Sequence, residues 1–368
     1  MSTPLPDWIA QAWLIFVAIS LVWVGRHLSG GHTARTALAV EFSLVVLAIV
    51  SRDGRLAFAA MAAAGGVLVW TVRRTSITAA VYLLVSALLL VLAAATVGTS
   101  GSSLAFAASL AAIAVRSGLF PLHSGVASLA KHSGPSQVEQ LASLPALVFV
   151  HLRFVDHGTV AFDLAPIFVG IGGASTLLFA LISLVQRDLR RLYVASTLMH
   201  GGMLFAAVGA AGRGHYSAAI LVTVTMVLAL AGCNAMISAL EARIGVGDVP
   251  DFVGRARAFP RLATALALFG GAAVGLPGTA GFVADDLLLH ALWEESVGTA
   301  VAVVVASALL AVATLATFSR VMLGPPKRHL ATDLQTGERR VVVLLMILLI
   351  TLGFVPRLLV SPVNALLQ

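Results

Sequence analysis

Residues 270–293, GGAAVGLPGTAGFVADDLLLHALW, decide the fold. A helix needs about 20 mostly apolar residues to cross a bilayer, and this stretch is long and apolar enough. Yet Gly275, Pro277, Gly278 and Gly281 fall inside it. A proline removes an amide donor and clashes with the preceding turn, so the spacing predicts a helix interrupted near Pro277. Residues 114–125, AVRSGLFPLHSG, repeat the pattern around Pro121 with Gly118 and Gly125 beside it. Irregular backbone at membrane depth is tolerated only where it is buried in protein or lines a wet cavity. Both interruptions are therefore expected on a transport path.

The rest of the chain agrees. Its 368 residues are 59% hydrophobic and 11% charged, with a mean hydropathy of +1.00. Soluble domains carry about 25% charge, so a soluble enzyme, a disordered chain and a nucleic-acid binder are excluded. The start, MSTPLPDWIA, lacks the basic region of a signal peptide, so the first apolar run is expected to be a retained helix. The single cysteine, Cys233, excludes a disulfide framework, a thiolate zinc site and an iron–sulfur cluster held by this chain. No cofactor is expected here; zinc or redox cofactors would belong to a partner subunit.

Apolar runs between charge and turn punctuation give about twelve spans in an all-α polytopic membrane protein. Seventeen Lys and Arg residues fall in odd-numbered loops, against five in the even loops and the C-terminal end. That bias places both termini outside the cytoplasm, with the bacterial inner membrane as the expected location. The two interrupted spans are each fourth in a run of five. Because five is odd, the second run enters from the opposite side, giving two inverted five-helix repeats, each with a discontinuous helix. The expected organisation is a first helix and loop over 1–35, repeats over 36–155 and 156–325, and a last loop and helix over 326–368.

Ionisable groups within spans are functional candidates because burying charge in hydrocarbon is expensive. Arg116 lies about 21 Å from the outer end of its span at the helical rise, hence about 9 Å from the cytoplasmic boundary of a core about 30 Å thick, and Glu41 enters another span from the cytoplasmic side to about 8 Å. An Arg116–Glu41 ion pair is expected. His123, after the first break, and His200, in STLMHGGMLF, are candidate proton relays because histidine titrates near neutrality. Glu139 has the capping-box spacing from Ser136 and completes the inner set. Asp285 and Asp286, with His290 a turn later, form the outer half of the path. His151 and Arg153 read as interfacial, and a GxxxG at Gly271 and Gly275 reads as generic packing.

Three stretches resemble the antiporter-type membrane subunits shared by respiratory complex I, group 4 hydrogenases, Mrp cation/proton antiporters and two-component inorganic-carbon uptake complexes. They are VRSGLFPLHSGVASLAKHSGPSQVEQL, LVQRDLRRLYVASTLMHGGMLFAAVG and FPRLATALALFGGAAVGLPGTAGFVADDLLL. The second is the most specific, through Gln186, Asp188, Ala195, Ser196, Thr197 and Gly202. The resemblance implies a mid-membrane polar axis with a glutamate in the third helix and lysines on both broken helices and the ninth. This chain has no acid from Leu56 to Val72, Arg116 in place of the first broken-helix lysine, Leu230 near the ninth-helix lysine, and Asp285 or a neighbour for the last. His200, with Leu152-Arg153-Phe154 closing the sixth span, looks more like the inorganic-carbon branch. The expectation is a proton-coupled subunit of a larger complex in the lipid bilayer, driving inorganic carbon uptake with a cytoplasmic zinc partner. The alternatives are a proton-translocating subunit of a complex I, hydrogenase or Mrp type assembly, and a degenerate non-conducting scaffold. Partner subunits, including a cytoplasmic or peripheral one, are expected; nucleic acid is not.

Overall fold

The computed structural model describes residues 8–28, 32–99, 102–131, 135–155, 159–244, 254–324 and 332–367. Among them there is no strand. The helices are α1 (Trp8–Leu28), α2 (His32–Val50), α3 (Gly54–Val72), α4 (Ile77–Thr96), α5 (Ser102–Ser117), α6 (Ser124–Lys131), α7 (Pro135–Phe154) and α8 (Thr159–Leu184). They continue as α9 (Leu189–Ala210), α10 (Tyr216–Ile244), α11 (Arg255–Ala258), α12 (Pro260–Ala273), α13 (Ala280–Glu295), α14 (Val297–Met322), α15 (Thr336–Phe354) and α16 (Arg357–Leu367). Six of these, α3, α4, α8, α9, α10 and α14, are long and apolar enough to cross a membrane, and the bent pair α15–α16 makes a seventh candidate. The expected twelve is reached only by counting α1, α2, α7 and the two broken pairs as crossings.

Packing follows the repeat. In the first run α2 packs on α3, α3 on α4, α4 on both α5 and α6, and α7 closes back on α2 and α3. In the second, α8 packs on α9, α9 on α10, α10 on both α12 and α13, and α14 closes back on α8 and α9. Helices in lipid gain little from the hydrophobic effect and associate through close packing of small residues. The α8–α9 contact, the most extensive in the molecule, uses Gly172, Gly202 and Gly209 in this way. Nearly every residue of α9 and α10 is buried, whereas α4 and α14 turn long apolar faces outward.

Both breaks are present, and their cause is sharper than a proline kink. Gly118 follows α5 at φ +76° and Gly275 follows α12 at φ +78°, a left-handed conformation open to glycine at no steric cost. Leu119 N donates to Ala114 O at 3.1 Å and Gly118 N to Val115 O at 3.4 Å. Leu276 N donates to Gly271 O at 2.9 Å and Gly275 N to Ala272 O at 3.4 Å. Each half-helix thus ends in the same Schellman motif, on the same Gly-Leu pair, and the prolines follow it. The Gly271–Gly275 pair belongs to this terminator. Gly275→Ala is expected to lower the midpoint of thermal unfolding, since a left-handed L-residue costs about 1–2 kcal/mol. Its Cβ would also lie 2.7 Å from Asp285 Oδ2.

Three local readings change. The last span bends by 70° between α15 and α16, because Pro356 displaces Val355 to φ −130°, ψ 64°. α9 begins at Leu189, inside the stretch read as loop, because the Asp188 side chain accepts from the amides of Arg190 and Arg191. α7 begins at Pro135, so Ser136 is already inside the helix rather than at its cap.

Candidate functional site

The two half-helices end against consecutive residues of α9. A Cβ on Gly201 would collide with the carbonyl oxygen of Ser117, the last residue of α5. One residue earlier, His200 Nε2 lies 2.7 Å from the carbonyl oxygen of Ala273, the last residue of α12. The ends of α5 and α12 thus reach neighbouring residues of α9, where the two interrupted segments meet. The C-terminal end of a helix carries partial negative charge. Each is met by a nitrogen: Gln140 Nε2 donates to Arg116 O at 2.6 Å, as His200 faces Ala273 O.

The second ring nitrogen of His200 sharpens its chemistry. Nδ1 lies 2.7 Å from Ser196 O, so both nitrogens face carbonyl acceptors. A neutral imidazole donates from one nitrogen only. The imidazolium satisfies both contacts, and losing the proton abandons one of them.

Arg116 is buried, with 1% of its surface exposed. Nη1 donates to Ser143 Oγ at 2.8 Å on α7, while Nε and Nη2 are buried with no hydrogen-bond acceptor among the described residues. Gly65 on α3 makes room for the guanidinium, since a Cβ there would lie 2.6 Å from Nη2. The Glu41 carboxylate, buried on α2, which packs on α3 and α7, acts electrostatically on the buried guanidinium.

The other candidates separate. Asp285 folds back over Gly275 in the second break. Asp286 and His290 point away from the bundle, their side chains 59% and 75% exposed, and bridge each other at 3.7 Å. The ring of His123 stacks on Phe120 and lies tilted against Phe179, with centroids at 5.7 Å and 5.4 Å. It lines a cavity of about 590 Å³ shared with Lys131, Gln186, Asp188 and Arg191. The Glu139 side chain lies outside the described residues.

Some polar groups escaped the sequence reading. Gln137, Gln140 and Ser143 are all buried on α7, and their i, i+3 spacing in an apolar helix was the available signal. His151 is not interfacial: it is fully buried, with Ser109 Oγ 2.8 Å from Nδ1 and Phe106 packed against its ring. Arg190, in the first turn of α9, is buried against α10. It pairs with Glu241 through Nε at 3.0 Å and Nη2 at 2.7 Å, and donates to Asn234 Oδ1 at 2.7 Å. Arg190→Ala would leave Glu241 and Asn234 without their cation, and a hydrogen bond to a charged group is worth about 1.5–3 kcal/mol. Thermal unfolding of the purified protein is expected to show that loss as a marked fall in Tm.

The meeting of two broken helices on one buried helix coincides with a family match. Residues 56–311 match the family described as NADH:quinone oxidoreductase/Mrp antiporter, TM. The chain belongs to that family. An NADH-quinone oxidoreductase subunit N from Halorhodospira halophila is 26% identical over 265 residues, covering 68% of this chain and 54% of the relative. Among curated relatives such as these, the chain spans between 26% and 54% of their length. A chain of the Thermus thermophilus respiratory complex I superposes with a TM-score of 0.84 at 19% identity, covering 98% of this chain and 84% of that one. A chain of the Mrp complex from a Dietzia species gives 0.74 at 16% identity, covering 97% and 81%. At these identities the likeness to solved structures is one of fold. The antiporter-type chain is thus an integral membrane protein whose fold is that of subunits in multi-subunit assemblies. Its position near the ninth-helix lysine, Leu230, is buried and apolar on α10.

Proposed function

We propose that this antiporter-type chain is a proton-translocating membrane subunit of a complex I, hydrogenase or Mrp type assembly. The carrying observation is one connected series of contacts through both breaks. Ser143 holds Arg116; Ser117 abuts Gly201; His200 holds Ala273; and Gly275, two residues on, lies under Asp285. An arginine stays protonated, so Arg116 acts as a fixed positive charge, answered by Glu41. The groups that exchange protons are His200 and Asp285, with His123 and Glu139 toward the basic loops. Loss of the His200 proton gives up one of its two carbonyl contacts, which ties proton occupancy to the hold of α9 on the α12 end.

The named relatives and solved neighbours belong to NADH-quinone oxidoreductases and an Mrp complex. They favour this reading over inorganic carbon uptake with a zinc partner. The loop bias supports a bacterial cytoplasmic membrane with both termini on the non-cytoplasmic side. Redox or zinc cofactors, and a cytoplasmic or peripheral partner, are assigned to the remainder of the assembly.

The test is proton movement by the purified intact complex in liposomes, followed with an entrapped pH-sensitive dye. Movement that requires the complex's driving reaction and collapses with an uncoupler is expected from wild type. A complex that runs its driving reaction without moving protons would make this chain a scaffold.

A further inference from the structure

The cavity beside the first break holds more positive charge than the chain itself answers. Its volume of about 590 Å³ is that of a site for a small molecule. At its exposed edge stand Lys131, the last residue of α6, and Arg191, in the first turn of α9. Among the described residues neither forms an ion pair. Arg190 also lines the cavity, but Glu241 takes up its charge. Asp188, the one carboxylate in the lining, accepts from the amides of Arg190 and Arg191. Three cations thus face two carboxylates, and one positive charge is left over. His123 lines the same space, with its Nδ1 buried and without a partner among the described residues.

Most of the remaining lining is apolar, with Phe179, Ile182, Val194 and Leu198 in it. Ile182 continues into an outward aliphatic strip at the end of α8, where Leu181 is 50% and Val185 74% exposed. The strip belongs to a helix long and apolar enough to cross a membrane. Basic recesses between spans attract anionic headgroups, and the phosphodiester of such a lipid carries the single negative charge that the surplus calls for. We propose that this cavity seats the phosphodiester of an anionic phospholipid between Lys131 and Arg191, with an acyl chain laid along Phe179 and Ile182. Free phosphate shares the head chemistry but offers nothing to the apolar lining. A zwitterionic lipid brings its own cation and leaves the surplus unanswered. The site stands whether or not the chain conducts protons.

The purified full chain, stripped of lipid in detergent, is titrated with phosphatidylglycerol, phosphatidylcholine or inorganic phosphate and read by native mass spectrometry. Phosphatidylglycerol is expected to bind in preference to phosphatidylcholine, and inorganic phosphate at the same concentration should not displace it. Lys131→Gln combined with Arg191→Gln should weaken phosphatidylglycerol binding about thirtyfold, each cation near a headgroup contributing about fivefold. Lys131→Arg combined with Arg191→Lys should keep it. A phosphatidylglycerol with a photoreactive acyl chain should label the peptide holding Phe179 and Ile182 in wild type and not in the double glutamine variant. The unfolding temperature without lipid should match in the two proteins, which separates lost binding from lost folding. Equal binding of phosphatidylcholine, displacement by inorganic phosphate, or wild-type labelling of the double glutamine variant would overturn the proposal.

Discussion

Arg116→Gln in the intact complex is expected to slow proton-coupled transport about tenfold to a hundredfold while the complex still assembles. Removing the charge loses a hydrogen bond of the charged kind, worth about 1.5–3 kcal/mol. Each 1.4 kcal/mol is a factor of about ten in an equilibrium. The Gln140 bond to the Arg116 backbone does not depend on the side chain. The end of α5 should therefore hold its place. What disappears is the fixed positive charge that Glu41 answers. Arg116→Lys restores the charge without the planar fork and should recover part of the rate. The initial rate of dye response per assembled complex is the measurement. An unchanged rate in Arg116→Gln would remove the side chain from the path.

His200 gives the second large effect, and two substitutions separate its roles. His200→Leu leaves Ala273 O buried without its donor, at a cost of about 1–3 kcal/mol, so both stability and transport should fall. His200→Gln can still donate one bond to Ala273 O but cannot titrate, so stability should be near wild type while transport falls about tenfold or more, the lower range of general acid–base contributions being larger still. The pair of readouts is unfolding temperature and proton flux on the same preparation. Wild-type flux in His200→Gln would confine His200 to capping the α12 end.

How far the sequence reached can be seen at particular residues. The broken helices were legible because apolar runs containing glycine and proline admit few other structures in a bilayer, and their order exposed the inversion. The actual terminator was less visible: attention fell on Pro121 and Pro277, whereas the Gly-Leu pairs at 118–119 and 275–276 carry the hydrogen bonds that end each half. Pairing across helices was the weakest point. Depth along a helix carries no information about azimuth, so nothing in the sequence pointed from Arg116 to Ser143 on α7, to which the guanidinium donates. The same blindness joined Asp286 and His290 to Asp285, although a step of one residue turns a side chain by about 100° around a 3.6-residue helix. His151 reads as an interfacial group from its position near a span end, and its burial comes from neighbours that sequence order does not place.

The connection between the two breaks is the heart of the account, and ordered water is its most direct witness. Arg116 Nε and Nη2 are buried donors without acceptors among the described residues, and buried donors of this kind commonly find water. An experimental map of the intact complex, at a resolution that shows bound water, is predicted to reveal linked sites running from Arg116 past Gly201 and His200 to Asp285. Close-packed apolar side chains sealing the region between His200 and either break would contradict it.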